Sequence, residues 1–349
     1  MDKVLDILTF LRKAESIPVV DVRTPAEFEQ GHIPTAHNIP LFSNEERKKV
    51  GITYKHSGQK DAIIKGLEFA GPKMKELALQ ATEIANGKQL LVHCWRGGMR
   101  SASMAWLFGT VGLKSLILEG GYKSFRRHVL SFFDDEFLFF VVGGLTGSGK
   151  TDVLHALQKK GEQVLDLENL AHHKGSAFGS LGQKVQSTNE QFENDIFWEL
   201  KMLDRNRIVW IEDESRNIGK NNLPPGIFRS IRSAPLIFLD VSLQNRIARL
   251  VRDYANFPKD DLKAAVLKIR PRLGDQVARS AIKGIEDANY QRTAELVLQY
   301  YDKTYRYGLE KRDRTRVFPM PVEDGSPAAE MAEHILELMK QNQLREQTL

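Results

Sequence analysis

An apolar run followed directly by a glycine-rich loop constrains the fold of this 349-residue chain more than any other feature. Residues 137–142 contain no polar side chain, which is typical of a buried parallel strand. Residues 144–151 then read GLTGSGKT and lead into a helical pattern over residues 152–160. A loop between a strand and a helix N-terminus presents backbone N–H groups to phosphate oxygens. The pattern therefore predicts an α/β sheet with a phosphate-binding loop, the P-loop.

Each residue type in this loop has a role in holding a phosphate. Gly144, Gly147 and Gly149 let the backbone wrap around the anion, because they carry no Cβ. Lys150 supplies positive charge to the terminal phosphates, and the Thr151 hydroxyl is a candidate ligand for Mg²⁺. The sequence leaves open which phosphate compound binds, and ATP is one candidate.

Two further apolar segments belong to the same predicted sheet. Residues 207–215 contain an apolar strand followed by three consecutive acids. Residues 236–240 form another strand. A P-loop fold carries a metal-orienting acid at the end of such a strand. We therefore predict Asp213 or Glu212 as a metal ligand beside Thr151. A solvated acidic turn is the alternative.

The segment 226–316 is the basic part of the chain. It holds 19 basic and 11 acidic side chains, a net charge of +8, against +5 for the whole chain. Ser242 is a candidate N-cap for a helix on which three arginines recur at three-residue spacing, and we place them on one face: Arg246, Arg249 and Arg252. Further basic residues extend this surface: Arg229, Arg232, Lys268, Arg270 and Arg272. Contact with RNA phosphates, chiefly through Arg246, Arg249, Arg252, Arg270 and Arg272, is favoured over a solvated helix face.

Two neighbouring histidines, His172 and His173, precede a glycine-rich stretch. They lack the helical spacing and the nearby cysteine that zinc sites use. We interpret this loop as a substrate-contacting segment. Residues 326–339 near the C-terminus are predicted to form an amphipathic packing helix.

The single cysteine, Cys94, lies between an apolar strand at 90–92 and a helical stretch at 101–108. A glycine-containing loop of this kind forms an anion-binding nest, and Arg96 and Arg100 flank it. The thiol pKa should therefore fall from about 8.5 to roughly 3.5–7.5. A buried, inert cysteine is the alternative. Because no second cysteine exists, an adduct on Cys94 must be released by substrate or by an external thiol.

The surrounding N-terminal segment alternates strands and helices. Residues 18–23 read as a strand, and Thr24 with Glu27 forms a capping box for the next helix. A further strand at 115–118 completes a parallel sheet with helices on its faces. Residues 41–88, with a helical stretch at 63–85, read as an insertion. Its Lys55 and His56 are candidate neighbours of the cysteine loop, although solvated surface positions are favoured.

Three separated motifs in this segment, VDVRTPAEFEQGHIPTAHNIP, CWRGGMRS and LEGGY, resemble the rhodanese domain. The resemblance implies that Cys94 is the nucleophile and carries sulfur or selenium as a persulfide-type adduct. It also implies that Asp21 and Arg23 are structural or rim residues. Five residues separate Cys94 from Arg100, however, one more than is usual for sulfurtransferases and equal to the spacing of related phosphatases. The wider loop favours a phosphatase-like reaction or a donor with a phosphate group, such as selenophosphate.

The order CWRGGMRS, GGLTGSGKT, DLENLAHHKGSAFG and IEDES resembles the tRNA 2-selenouridine synthase family over nearly the whole chain. The resemblance implies that wobble 2-thiouridine in tRNA exchanges sulfur for selenium from selenophosphate, and that the sulfur is geranylated from geranyl diphosphate. Cys94 with Arg96 and Arg100 would handle the selenium donor. Gly149, Lys150 and Thr151 would bind a diphosphate, with ATP left open. A nucleotide-regulated phosphatase, or a sulfur carrier without RNA, is the alternative.

The predicted fold class is thus α/β, with two domains. Residues 1–130 form a rhodanese-like domain with a parallel sheet. Residues 137–349 form a P-loop NTPase-like domain with a helical, basic extension at about 226–316 and a C-terminal helix. The sequence has no apolar run near 18 residues and no signal-peptide pattern, so we expect a cytoplasmic protein without a membrane span. Expected partners are tRNA and an enzyme that supplies selenophosphate.

Overall fold

The computed structural model describes residues 3–85 and 88–341 of the chain. The chain divides into two compact units, residues 1–132 with 193–198, and residues 133–192 with 199–349. Each unit contains a five-stranded sheet whose neighbouring strands are all parallel. The predicted α/β fold class is therefore confirmed.

The first sheet has the following strands: β1 (Lys3–Leu5), β2 (Val19–Asp21), β3 (His37–Asn38), β4 (Gln89–His93) and β5 (Lys114–Leu118). Their spatial order is β1-β5-β4-β2-β3. Strand β4 lies at the centre, and its Leu90, Leu91 and Val92 are fully buried. Burial on both faces explains why this strand has a continuous apolar sequence.

The helices of the first unit that follow these strands in the chain are α1 (Ile7–Lys13), α2 (Pro25–Gln30), α3 (Asn44–Ala70), α4 (Met74–Ile84), α5 (Met99–Thr110) and α6 (Gly121–Phe132). The predicted capping box is confirmed, because Thr24 and Glu27 each accept a backbone N–H from the other at the start of α2. The predicted helical stretch over residues 63–85 is confirmed in its extent, but it is not one helix. A 3₁₀ turn over Gly71–Lys73 separates α3 from α4, and α3 is kinked at Gly58, where φ is +86°.

The second sheet has the following strands: β6 (Phe139–Gly144), β7 (Gln163–Leu165), β8 (Val209–Glu212), β11 (Leu236–Asp240) and β12 (Val317–Pro321). A small antiparallel hairpin, β9 (Asn217–Ile218) and β10 (Asn221–Asn222), lies outside it. The spatial order of the sheet is β12-β11-β6-β8-β7. Strand β6 is therefore central, so the loop that follows it emerges at the middle of the sheet edge.

The remaining helices are α7 (Lys150–Lys159), α8 (Leu167–Ala171), α9 (Asn189–Lys201), α10 (Pro225–Ser233), α11 (Leu243–Tyr254), α12 (Lys259–Leu273), α13 (Asp275–Glu286), α14 (Tyr290–Leu309) and α15 (Ala328–Gln341). Helices α12 to α14 form the predicted helical extension. They share an apolar core that includes Val266, Ala281 and Leu296. Helix α15 packs on the core of the second sheet through Met331 and Ile335. Among the described helices, none is long and apolar enough to cross a membrane.

Candidate functional site

The cysteine loop connects the end of β4 to α5 and is shaped by close backbone contacts. Gly97 has a φ of +66°, and a Cβ there would lie 2.5 Å from the carbonyl oxygen of Leu118. A Cβ on Gly121 would lie 2.4 Å from the carbonyl oxygen of Cys94. The N–H of Tyr122 donates to that same oxygen at 2.8 Å. The Gly-Gly-Tyr sequence after β5 therefore holds the cysteine loop in position.

The thiol of Cys94 is buried, and its surroundings favour the thiolate. Its Sγ lies 3.3 Å from the hydroxyl of Ser101. Burial raises the pKa of the Cys94 thiol, but the Ser101 hydroxyl, the N–H groups of Arg96 and Ser101, and the charge of Arg100 together lower it below its ordinary value. The predicted direction of the shift is confirmed. Sequence reasoning credited the arginines and missed Ser101, although the serine stands next to Arg100 in the motif.

Arg100 is already paired with a carboxylate. Its Nη1 lies 2.8 Å from Oε2 of Glu27, and its Nη2 lies 3.2 Å from Oε1. Burial raises the pKa of Glu27, whereas Arg100 lowers it below its ordinary range. Arg96 is exposed at the loop. An anionic donor would therefore meet Arg96 directly and would share Arg100 with Glu27. Lys55 and His56 lie on the exposed surface of α3.

Asp21 and Arg23 form a buried ion pair beneath this loop. Neither side chain is exposed, and Nη2 of Arg23 donates to Oδ2 of Asp21 at 2.6 Å. The guanidinium lies 3.7 Å from the ring centre of Tyr122. These contacts support the structural role predicted for the two residues. The alternative prediction, a position on the rim, is wrong because neither residue reaches the surface.

The P-loop connects β6 to α7, with Gly147 and Gly149 in the left-handed region at φ +83° and +82°. The N–H of Gly144 donates to the hydroxyl of Tyr305 at 3.2 Å. The ammonium of Lys150 donates to the carbonyl oxygen of Gly144 at 3.2 Å, across the loop. The loop thus has the backbone shape and the cation that a phosphate site needs.

Three glutamates meet beside the P-loop: Glu168, Glu212 and Glu214. Each offers one carboxylate oxygen, and these oxygens lie within 4.8 Å of one another. The Thr151 hydroxyl donates to Oε2 of Glu168 at 3.1 Å. Burial, followed by repulsion from Glu168, raises the pKa of Glu214 to about 8. Burial and the two neighbouring carboxylates raise the pKa of Glu212 well above its ordinary value.

Asp213 lies outside this cluster and has partners of its own. Its Oδ2 accepts a hydrogen bond from Tyr305 at 2.6 Å, and its Oδ1 accepts one from Arg312. Arg232 lies 3.5 Å from the same Oδ1. The prediction of Asp213 as a metal ligand is therefore wrong, because both oxygens hold neighbouring elements together. Of the two predicted acids, only Glu212 faces the cluster.

The arginines of α11 do not share one face. The exposed fraction of the side chain is 4% for Arg246, 22% for Arg249 and 64% for Arg252. Arg246 forms two 2.8 Å bonds with Asp302 and donates to the carbonyl oxygen of Thr146. The prediction of a common face is wrong, because three residues advance an α-helix by about 300°, which rotates each arginine about 60° from the last.

Arg249 belongs to the phosphate site rather than to an outer surface. It pairs with Asp152, in the first turn of α7. A Cβ on Gly149 would lie 2.6 Å from its guanidinium carbon, so Arg249 covers the P-loop. Arg270 and Arg272 are exposed on α12 and contact Asp275 and Tyr300, respectively. Those two and Arg252 remain available to an external polyanion.

A cleft of about 1380 Å³ opens at the P-loop within the second unit. The lysine and arginine side chains on its walls are Lys150, Lys174, Lys220, Arg232, Arg249, Arg252, Lys268 and Arg272. His173 also lines it and is largely buried, and burial lowers the pKa of this histidine. His172 ends α8 with a φ of +48° and makes a contact with the carbonyl oxygen of Val185. Of the predicted histidine pair, only His173 reaches the cleft.

Sequence reasoning missed Glu168, Glu214 and Tyr305 as parts of this site. Glu168 follows β7 and Glu214 follows β8, and these strands are parallel neighbours. Acids after adjacent parallel strands meet at one edge of a sheet. The sequence shows that each acid follows a strand, but it does not show that the two strands are neighbours. Tyr305 carried no signal, because it reaches the P-loop from α14, 161 residues away in sequence.

Comparison with known proteins matches both domains. The model of the tRNA 2-selenouridine synthase AAA domain matches residues 137–333, and that of the rhodanese-like domain matches residues 6–128. A tRNA 2-selenouridine synthase from Bordetella petrii is 34% identical over 88% of this chain and 90% of its own length. A tRNA 2-selenouridine synthase from Hydrogenovibrio crunogenus is 31% identical over 85% of this chain and 91% of its own length. A solved N-terminal domain from Clostridium difficile 630 is 43% identical, covering 37% of this chain and 99% of that domain, with a TM-score of 0.35.

Fold and sites together define a two-domain α/β protein that joins a rhodanese-like cysteine loop to a P-loop domain with an acid-lined cleft. The chain belongs to the tRNA 2-selenouridine synthase family.

Proposed function

We propose that this protein is a tRNA-modifying transferase that replaces the sulfur of wobble 2-thiouridine with selenium from selenophosphate, after geranylating that sulfur with geranyl diphosphate. The names of the similar proteins support tRNA as the substrate and selenium as the element transferred. The presence of a nucleophilic cysteine loop and a phosphate cleft in one chain supports two successive reactions. A selenophosphate-supplying enzyme and a cytoplasmic location belong to the same proposal.

The observation that carries the geranyl step is a narrow apolar slot of about 50 Å³ that continues from the P-loop cleft. Thr146, Ser176 and Tyr254 line both spaces. Deeper lining residues are Phe178, Leu262, Ile285 and Val297. A phosphate loop beside an apolar slot suits a ligand with an anionic head and a hydrocarbon tail. A ten-carbon tail is larger than the slot, so its entry requires the lining side chains to move apart.

In the first step, the sulfur at C2 of the uridine attacks C1 of the geranyl group. A C–S bond forms, the C–O bond to the diphosphate breaks, and the diphosphate leaves with the electron pair. N3 of the uridine loses its proton to solvent as the C2–N3 double bond forms. Lys150 and the P-loop N–H groups stabilise the charge that develops on this leaving group. The step is useful because an alkylated sulfur departs far more readily than a thiocarbonyl sulfur.

In the second step, the Cys94 thiolate attacks the phosphorus of selenophosphate. An S–P bond forms, the P–Se bond breaks, and hydrogen selenide leaves. Water then hydrolyses the S–P bond and releases phosphate. Attack on selenium would instead expel phosphorus as phosphite and would change its oxidation state. The selenide adds to C2 of the geranylated uridine and expels geranylthiolate, so the sequence needs no oxidant or reductant. The five-residue spacing between Cys94 and Arg100 supports attack at a tetrahedral phosphorus.

Mass spectrometry of tRNA nucleosides tests this proposal. Purified protein with thiolated tRNA and geranyl diphosphate alone should yield S-geranyl-2-thiouridine, and addition of selenophosphate should convert it to 2-selenouridine. Matched tRNA that lacks the 2-thio group is the control and should stay unmodified. Absence of both products from thiolated tRNA would contradict the proposal.

A further inference from the structure

The three glutamates beside the P-loop are not explained by the packing of the protein. Glu212 is fully buried, and neither of its carboxylate oxygens has a hydrogen-bond partner within residues 3–85 and 88–341. Glu214 is also buried. Placing a carboxylate away from water without a partner is unfavourable, and three together add mutual repulsion. Such a group is neutralised either by protons or by a bound cation.

The nearby cations of the chain do not balance three carboxyl groups. The charge of Lys150 opposes the rise in the pKa of all three glutamates, but it is a single charge, and its ammonium donates to the carbonyl oxygen of Gly144. Arg312 and Arg232 pair with Asp213 instead. Asp213 is adjacent in sequence to two of the glutamates, yet both of its oxygens are satisfied by Tyr305 and Arg312. The contrast within one short segment indicates that the unpartnered state of Glu212 is specific to the cluster.

We propose that Glu168, Glu212 and Glu214 bind one divalent cation of the Mg²⁺ or Mn²⁺ class, with the Thr151 hydroxyl as a neighbouring ligand. Hard divalent cations take oxygen ligands, and carboxylates supply both the oxygens and the charge. Opposite ligands on a Mg²⁺ ion lie about 4.2 Å apart, since each bond is about 2.1 Å long. Only one pair among three ligands can be opposite, and neighbouring ligands lie about 3.0 Å apart. The three carboxylate oxygens, within 4.8 Å of one another, therefore need to move by about 1 Å each to contact one ion.

The backbone beside the cluster leaves room for such an ion. Gly175 has a φ of +64°, and a Cβ built on it would lie 3.0 Å from an oxygen of Glu168 and 3.0 Å from one of Glu214. A side chain at this position would fill the space in front of both carboxylates. Thr151 is the first residue after Lys150, so the cation site adjoins the phosphate site.

The use of this cation rests on the proposed function, whereas its binding does not. A cation at the glutamates would supply positive charge to a diphosphate held by Lys150 and the P-loop. Glu168, on α8, would then couple the cation to the P-loop through its hydrogen bond with Thr151. Two positive groups would therefore stabilise the departing diphosphate: Lys150 of the chain and the cation held by the glutamates.

Titration of the full chain with Mn²⁺, followed by electron paramagnetic resonance, tests the site without tRNA or any phosphate. The wild type should bind one tight Mn²⁺ ion. Glu212→Gln and Glu214→Gln should each weaken that binding at least tenfold. Glu199→Gln is the matched control, because Glu199 lines the same cleft outside the cluster. Thermal unfolding without cations should show that both cluster variants are folded.

Wild-type Mn²⁺ affinity in both folded cluster variants would overturn the inference, as would the absence of a tight Mn²⁺ ion in the wild type. The result is independent of the proposed reaction, because the titration contains neither substrate. If Mn²⁺ binds as expected and nucleoside analysis finds no geranylated or selenated tRNA, the cation site stands and the proposed function fails.

Discussion

The cysteine loop and the P-loop cleft handle negative charge in opposite ways. In the first, Ser101 and backbone N–H groups face the Cys94 sulfur, and Arg100 pairs with Glu27. In the second, Glu212 and Glu214 are buried against each other, and burial raises the pKa of Glu214 to about 8. In the first site, groups of the chain itself stabilise the negative charge of the thiolate. In the second site, the ionised carboxylates need a positive ligand that the chain does not supply.

This difference indicates what each site does before its substrates arrive. A thiol whose pKa is already lowered is ready to act as a nucleophile as soon as a donor binds. A cleft with unbalanced buried acids suits a ligand that brings positive charge, such as the cation proposed above. We therefore expect the cysteine loop to depend on its own side chains and the cleft to depend on bound ions.

Replacement of the nucleophile should have the largest effect. Cys94→Ser should reduce selenium incorporation to background, because a serine hydroxyl does not ionise near neutral pH and the chain has no other cysteine. Geranyl transfer should continue, so geranylated tRNA should accumulate in nucleoside mass spectrometry. Loss of both activities in a variant with wild-type circular dichroism would contradict the division of labour.

Removal of the P-loop cation should have the next largest effect. Lys150→Ala should slow geranyl transfer by about 10²-fold, since it removes a positive group from the leaving diphosphate. The rate at which iodoacetamide alkylates Cys94 should not change. Lys159→Ala, at the other end of α7, is the matched control. Normal geranyl transfer in Lys150→Ala would show that the P-loop serves a different ligand.

Loss of the Ser101 hydroxyl should have a moderate effect that appears in a pH profile. Ser101→Ala removes a contact that lowers the pKa of Cys94, so the pKa should rise. The inflection of the alkylation rate should therefore move to higher pH, and the rate at pH values below the wild-type inflection should fall severalfold. Ser103→Ala, an exposed position on the same helix, should leave the profile unchanged. An unshifted inflection in Ser101→Ala would mean that Ser101 does not stabilise the thiolate.

The smallest expected effect per residue is on the affinity for tRNA and its dependence on salt. Arg252, Arg270 and Arg272 are exposed, and their partners are exposed groups that contribute little stability, so phosphates can replace them. Each phosphate contact contributes roughly −0.7 to −0.9 to the log–log salt slope of affinity. The triple alanine variant should flatten the slope by about two to three units, for thiolated and unthiolated tRNA alike.

Arg314→Ala, an exposed arginine on another element, is the control for this salt titration. Its slope should differ from that of the wild type by less than one unit, since at most one contact is lost. An unchanged slope in the triple variant would place the tRNA elsewhere on the protein.

Features set by neighbours in sequence could be predicted, and features set by distant partners could not. The P-loop follows from a strand, glycines and a helix that are contiguous between residues 139 and 159. The burial of Arg246 depends on Asp302, which is 56 residues away, so helical spacing alone placed it wrongly on the surface. Glu168 and Glu214 meet only because β7 and β8 are adjacent in the sheet, which the sequence does not specify.

The central claim is that the two sites act in series through geranylated tRNA, and prepared S-geranyl tRNA tests it most directly. With selenophosphate, Lys150→Ala should convert this tRNA to 2-selenouridine at a rate close to the wild type, because the step that needs the P-loop has been bypassed. Cys94→Ser should leave it unchanged. Failure of Lys150→Ala on this substrate, or conversion by Cys94→Ser, would contradict the account.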